Sequence, residues 1–393
     1  MTAYDGSSAP TVLIAFSDTG GGHRAAARHL QGALARLAPD ASVRLIDPYA
    51  SSGRWPFDRL HAGYPVVVGR AAWLWHAGFR LTNTRWVTTI AQALAWPLLR
   101  RAFHALRAEA RPDVIVSTHP LLATPLRRAF PTVPIAVVVT DLVSGHVSWY
   151  DRSADCVITP TPAATGHARR KGVPASRVLE LGLPVDASFV ATDDTHMALA
   201  ASLGWSTARP TVLLMGGGDG IGPLESIATA VDEASLPCDL AIVTGRNADL
   251  AARLRRRAWS GCVHVYDFVL QLGPMMRAAS ALITKAGPGT ICEAFAAGCP
   301  LVLYGAIPGQ ETGNVDYVRA SGGGVWAPSP AAVVAALAQW FVAPDASIVR
   351  ARVARAARAA AKPSAADDIV ARVLALAAPF ASKSPHPSVS ALV

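Results

Sequence analysis

Two glycine turns hold the residue types that could do chemistry. One is Ser17-Asp-Thr-Gly-Gly-Gly-His23, followed by Arg24; the other is Thr284-Lys-Ala-Gly-Pro-Gly-Thr-Ile-Cys-Glu293. Gly20, Gly21 and Gly22 in the first turn, and Gly287 and Gly289 in the second, let backbone approach a ligand closely, while Pro288 stiffens its turn. A helix follows each turn at once. Its free first amides and the positive end of its dipole suit an anion, a diphosphate above all. Thr290 is expected to cap the second helix, and Glu293, three residues on, to reach a sugar hydroxyl beside that anion.

Other segments add to this pair. Gly216-Gly-Gly-Asp-Gly-Ile-Gly-Pro223 is a further glycine turn, with Gly216, Gly217 and Gly218 placed to meet a diphosphate. Backbone around Phe268 and Val269 could read a uracil edge. Gly309-Gln-Glu-Thr-Gly-Asn314 offers Gln310, Glu311 and Asn314 to hexose hydroxyls. His119 and Asp141 each stand just past a strand, where ligands of open α/β sheets gather. Each feature has a plainer reading, since glycine turns serve tight packing and polar loop residues serve as caps. As an ordered set they favour a sugar nucleotide.

The elements that must position these residues follow a strand–turn–helix rhythm. Thr11–Phe16 is a short apolar run of the kind that forms a buried parallel strand. The first glycine turn ends it, and a helix follows with Leu30, Leu34 and Leu37 as its core face. Its consecutive glycines do not match the dinucleotide G-x-G-x-x-G. Further strands are expected at 43–47, 113–117, 134–140, 155–159 and 177–182. Turn formers over 184–210 mark a boundary, after which the pattern restarts with strands at 211–215, 238–244, 263–266, 281–283 and 300–304. The fold class is therefore α/β, with two Rossmann-like domains facing across a cleft. Residues 1–190 form the acceptor- and membrane-facing domain, and 207–361 the nucleotide-sugar domain. A helix near 362–380 packs back on the first domain, and 381–393 form a disordered tail.

Composition narrows the classes. The 393 residues are 51% hydrophobic and 16% charged, with a formal net charge of +9, enough for two cores and suited to an anionic partner. Nucleic acid is not expected, because no nucleic-acid-binding module is visible. No run of 18 apolar residues occurs, so a transmembrane helix is not expected. The five cysteines form no CxxC pair and read as reduced thiols. Residues 54–104 hold five of the ten tryptophans (55, 73, 75, 86 and 96), interleaved with Arg70, Arg80, Arg85, Arg100 and Arg101. That pattern fits either an amphipathic surface for an anionic membrane or helices packed on the sheet with wet arginine faces.

The turns 17–24 and 216–223, with Val139-Thr-Asp-Leu142, Thr284–Thr290 and Gly309–Val315, resemble the monogalactosyldiacylglycerol synthases. These group with processive diacylglycerol glucosyltransferases and the peptidoglycan UDP-GlcNAc transferase. The resemblance runs from about residue 11 to about 320. It implies a GT-B fold and inverting hexosyl transfer from UDP-galactose or UDP-glucose to diacylglycerol, with no metal or other cofactor. It implies His23 as the base, Asp141 as a group orienting His23 or the acceptor, and Gly20–Gly22, Arg24 and His119 as the acceptor loop. Donor contacts fall to Gly216–Gly218, Phe268, Val269, Gly287–Thr290, Glu293, Gln310, Glu311 and Asn314. The start of the chain shows neither a secretory signal nor a plastid transit segment, so the resemblance implies a cytoplasmic enzyme, peripheral on the inner face of the cell membrane. Another lipid or polyprenyl acceptor, or a UDP-sugar-binding protein without turnover, stays open. An epimerase of the same fold would need further cleft carboxylates, which are not evident.

Overall fold

The computed structural model describes residues 9–18, 21–59, 72–192 and 196–381. Residues 1–8, Gly20, Arg70 and nearly all of the expected tail lie outside the described residues, as do the side chains of Trp73 and Trp75. Consecutive apolar residues make strands buried on both faces. β1 (Thr11–Ala15), β2 (Ser42–Ile46), β3 (Val114–Ser117), β4 (Ile135–Val138), β5 (Cys156–Thr159) and β6 (Val178–Glu180) form a parallel sheet in the order β2-β1-β3-β4-β5-β6. Alternate side chains feed different cores. Leu13, Ile115 and Val137 face Leu99, Phe103 and Leu106 of the Arg85–Glu109 helix. Val12, Ile14 and Val116 face Leu30 and Leu34 of the Gly22–Leu37 helix, and Ile369, Val370 and Val373 of the Ala365–Ala381 helix. Leu37 departs from its expected core position: it ends its helix and is 49% exposed.

The second sheet repeats the plan. β7 (Thr211–Met215), β8 (Asp239–Val243), β9 (Val263–Tyr266), β10 (Ala281–Lys285), β11 (Leu301–Gly305) and β12 (Gly324–Trp326) run parallel in the order β12-β11-β10-β7-β8-β9. The short β12 was not expected from sequence. The two halves share one hydrophobic cluster, in which Leu142, Leu183, Val185 and Phe189 of the first half pack with Met275, Ile291 and Val315 of the second.

The Arg85–Glu109 helix is divided. Its later half is packed, whereas Trp86, Ile90, Leu94 and Leu98, at four-residue spacing along its earlier half, are 68%, 52%, 73% and 49% exposed. Trp55 is exposed too, while Trp96 packs on Phe103, with ring centroids 6.2 Å apart. The later half therefore follows the reading of helices packed on the sheet, while the earlier half presents an exposed apolar stripe. Among the described residues no single helix is long and apolar enough to cross a membrane.

Candidate active site

Sheet order decides where the site residues meet. From β1 the chain winds to β2 on one side and then returns to β3 on the other, so β1 and β3 flank a switch point, where a crevice opens at the carboxyl ends. His23 follows β1 and His119 follows β3. In the second sheet β7 and β10 flank the equivalent crevice, and the Gly216 and Gly287 turns follow them.

On the first side Gly21 is the helix N-cap, held at φ 78°, and the helix starts at Gly22. His23 is thus a first-turn residue and not the cap. Its Nδ1 is 3.0 Å from Thr140 Oγ1, and its carbonyl accepts the Thr118 hydroxyl at 3.0 Å. His119 meets the His23 ring edge-on, with centroids 4.8 Å apart, and Trp149 lies 5.7 Å away. Burial pushes the His23 pKa down to about 4, against a weaker opposing backbone contact at Thr118. Burial, then the neighbouring His23, holds His119 well below the ordinary range. Both rings are therefore neutral near pH 7. Arg24 folds back onto Asp18 at 2.7 Å.

On the second side the helix begins at Pro288 with Gly287 as its N-cap, so Thr290 lies inside the first turn and does not cap it. An added Cβ separates two kinds of glycine. At Gly216 it would fall 2.5 Å from the Ile221 carbonyl oxygen, so packing alone explains that residue. At Gly22 and Gly289 it would meet open space. Packing does not require glycine at either position.

Several expected ligands prove to be anchors. Glu311 is buried, with Oε1 on Lys285 Nζ at 2.6 Å and Oε2 accepting the Ile307 amide at 2.9 Å. Asn314 is buried and donates to the Ala286 carbonyl at 2.9 Å. These two residues tie the 309–314 loop to the glycine turn instead of standing free for a hexose. Asp141 does not pair with His23 either. Its Oδ2 accepts Trp149 Nε1–H at 2.7 Å and its Oδ1 accepts Gln310 Nε2–H at 3.4 Å. Burial raises its pKa to about 6, against the lowering pull of these two donors. Glu293 is buried 4.0 Å from His29 of the first half, and burial raises its pKa. Phe268 and Val269 border the second cleft wall, where the Arg246 guanidinium sits 4.9 Å over the Phe268 ring and bonds Asp219 at 2.8 Å.

A continuous row results. Thr140 holds His23, its neighbour Asp141 holds Gln310 across the cleft, and the next residue, Glu311, holds Lys285 between the Gly217 and Gly287 turns. Thr140, Trp149, Arg246, Lys285 and His29 had not been assigned roles. Thr140, Arg246 and Lys285 lie at strand ends, which was the available signal; the other two gave none.

The family model described as "Monogalactosyldiacylglycerol (MGDG) synthase" matches residues 23–185, and that described as "Glycosyltransferase family 28 C-terminal domain" matches residues 211–316. The probable monogalactosyldiacylglycerol synthase 2, chloroplastic, of Oryza sativa subsp. indica is 35% identical over 85% of this chain and 74% of its own length. This chain belongs to the monogalactosyldiacylglycerol synthase family. The chloroplastic enzyme of Spinacia oleracea is 34% identical over 87% of this chain and 68% of its own. Synthase 1 of Arabidopsis thaliana is 34% identical over 84% of this chain, which spans 64% of that relative. Acinetobacter baumannii MurG superposes with a TM-score of 0.55 at 15% identity, covering 93% of this chain and 99% of its own. The S. aureus MnaA-UDP co-structure gives 0.58 at 14%, covering 92% and 95%. The fold is GT-B, as the motif resemblance implied.

One expectation falls here. The cytoplasmic setting at the inner face of the cell membrane is overturned by relatives that are chloroplastic. It rested on the first few residues of a chain that covers only part of those relatives.

The burial of His23 gives a direct check. Its ring should titrate near pH 4 by NMR, well below the ordinary 6.5. Stability should fall as pH drops from about 6.5 towards 4, because the unfolded chain binds the extra proton first. His23→Gln should flatten part of that fall in denaturation measured against pH, and an unchanged slope would refute it.

Proposed function

We propose that this protein moves a hexose, galactose foremost, from its UDP-sugar to diacylglycerol, giving a β-glycosyl lipid with inversion. The observation that supports this most is the row from His23 to Lys285, which joins a neutral base to an anion-ready turn. The base role requires a bare Nε2, so Nδ1 carries the proton and donates it to Thr140 Oγ1. Nε2 then takes the proton of the acceptor hydroxyl, whose oxygen attacks the anomeric carbon. The bond from that carbon to the diphosphate breaks, and UDP leaves with the electron pair.

The leaving diphosphate gains one negative charge as the bond breaks and needs donors for it. The Gly289 and Thr290 amides, the helix dipole and the Lys285 ammonium supply them, which is how this transfer proceeds without a metal. Gln310, which also bonds Asp141, meets the hexose hydroxyls from the 309–314 loop. Glu293 takes the ribose, and Phe268 with Arg246 borders the uracil. The exposed Trp86–Leu98 stripe, with Arg100 and Arg101 beyond it, rests on an anionic bilayer that presents the acceptor.

Incubation with diacylglycerol and either UDP-galactose or UDP-glucose, followed by thin-layer separation, tests the reaction. A galactolipid is the expected product, and no glycolipid from either donor would defeat the proposal. His23→Ala should lower kcat by about 10²–10⁴-fold while UDP still binds; undiminished turnover would remove His23 as the base.

Gly289→Ala should fold as well as the parent, because the methyl meets open space, yet bind UDP about tenfold or more weakly. Gly216→Ala should lower the melting temperature as well. Equal UDP affinity in Gly289→Ala would place the diphosphate elsewhere.

Ile90→Glu with Leu94→Glu should abolish sedimentation with anionic vesicles, with UDP affinity unchanged. Retained sedimentation would return that face to another role.

A further inference from the structure

The Glu293 carboxylate is short of partners. The residue is 9% exposed, yet among the described residues nothing hydrogen-bonds to its side chain. A carboxylate buried in that state is costly, so its surroundings must admit a donor. A polar atom faces it from the other half. His29 Nε2, on the Gly22–Leu37 helix, lies 4.0 Å from Glu293 Oε1 on the Pro288–Ala297 helix. That gap is too wide for a direct hydrogen bond.

His29 is held as an acceptor towards Glu293. Its Nδ1 lies 3.0 Å from the Pro184 carbonyl, which can only accept, so Nδ1 carries the ring proton. The neutral ring then turns a bare Nε2 towards the carboxylate. Phe189 meets the imidazole edge-on, with centroids 6.1 Å apart, and so fixes its plane. Two acceptors thus oppose each other across the boundary between the halves, and their side chains keep 14% and 12% exposure. Such a pair is completed by a donor to each. Two adjacent hydroxyls on one ring supply both.

We infer that His29 is a ribose contact contributed by the first half: the vicinal diol of the nucleotide lies across Glu293 Oε1 and His29 Nε2, one hydroxyl donating to each. The diol comes from the donor reading above, in which Glu293 takes the ribose, and the contact rests on that reading. Its consequence is selection of a ribonucleotide over a deoxyribonucleotide. A site built to bond a hydroxyl rejects the analogue that lacks it, because a buried polar group is then left unpaired. His29 makes that choice from outside the domain that holds the diphosphate, and the bound ribose ties the two halves together beside Pro184.

Calorimetric titration of the full chain with UDP and with its 2′-deoxy and 3′-deoxy analogues tests the contact. His29→Asn keeps a donor near the Nδ1 position for Pro184 and removes Nε2. It should weaken UDP about tenfold. One analogue, the one lacking the hydroxyl that meets His29, should bind this variant as it binds the parent. His29→Gln returns an amide near the Nε2 position and should recover part of the UDP affinity. A second measurement needs no variant: the His29 Nε2 nitrogen resonance of the parent should move with UDP and stay in place with that same analogue. Equal UDP affinity in the parent and His29→Asn would overturn the contact, as would equal weakening of UDP and both analogues, or an Nε2 resonance indifferent to UDP. In each of those outcomes UDP still saturates the parent, and the donor reading stands. UDP that fails to bind the parent overturns both.

Discussion

The hydrogen bond from Gln310 to Asp141 joins the halves of the molecule at 3.4 Å, beside the groups that would react. Shape enforces it as much as polarity. Gly313, three residues beyond Gln310, lies so close to the first half that an added Cβ would fall 2.7 Å from Ser144 Oγ and 2.8 Å from Val143 Cγ1. Leu142, next to Asp141, is buried in the cluster it shares with the second half. A buried carboxylate is tolerated only with donors, and Asp141 draws one from each half, Trp149 and Gln310. Its protonation, raised to about pH 6, is thereby linked to the contact between the halves.

The two sides of the cleft have opposite electrostatic needs, and their surroundings meet them separately. Burial among His119, Trp149 and Thr140 keeps His23 neutral, as a base must be. On the other side the Glu311 carboxylate lies 2.6 Å from Lys285 Nζ. In the proposed transfer an arriving diphosphate would compete with Glu311 for the ammonium, so the ion pair holds the lysine in place at the cleft.

How much of this the sequence disclosed depends on whether the cause was local. Eleven strands were legible, most plainly the central ones, whose burial on both faces leaves an apolar run with no alternation to confuse. β12 did not, since Gly322-Gly-Gly324 looks like a turn and only its place beside β11 makes Gly324–Trp326 a strand. The glycine turns were legible, but which glycines face open space was not, because that depends on residues distant in the chain. Asp141 was expected to orient His23 or the acceptor, and the bond to His23 belongs to Thr140. Adjacent residues at a strand end point to opposite sides, and nothing local says which side holds the histidine. Glu311 looked free because its partner Lys285 lies 26 residues away.

The divided Arg85–Glu109 helix links the surface to the site. Its packed half is fixed to the sheet, so the exposed half projects from a rigid base. Just before it, the Asn83 side chain accepts the Val147 amide at 2.7 Å, and Thr82 Oγ1 lies 3.2 Å from His146 Nε2. Val147 and His146 belong to the same loop as Thr140, Asp141 and Trp149. Any surface that holds the apolar stripe therefore also holds, through two hydrogen bonds, the loop that sets His23 and receives Gln310. The exposed tryptophan and leucines are costly in water and the loop is costly to order, and one contact answers both.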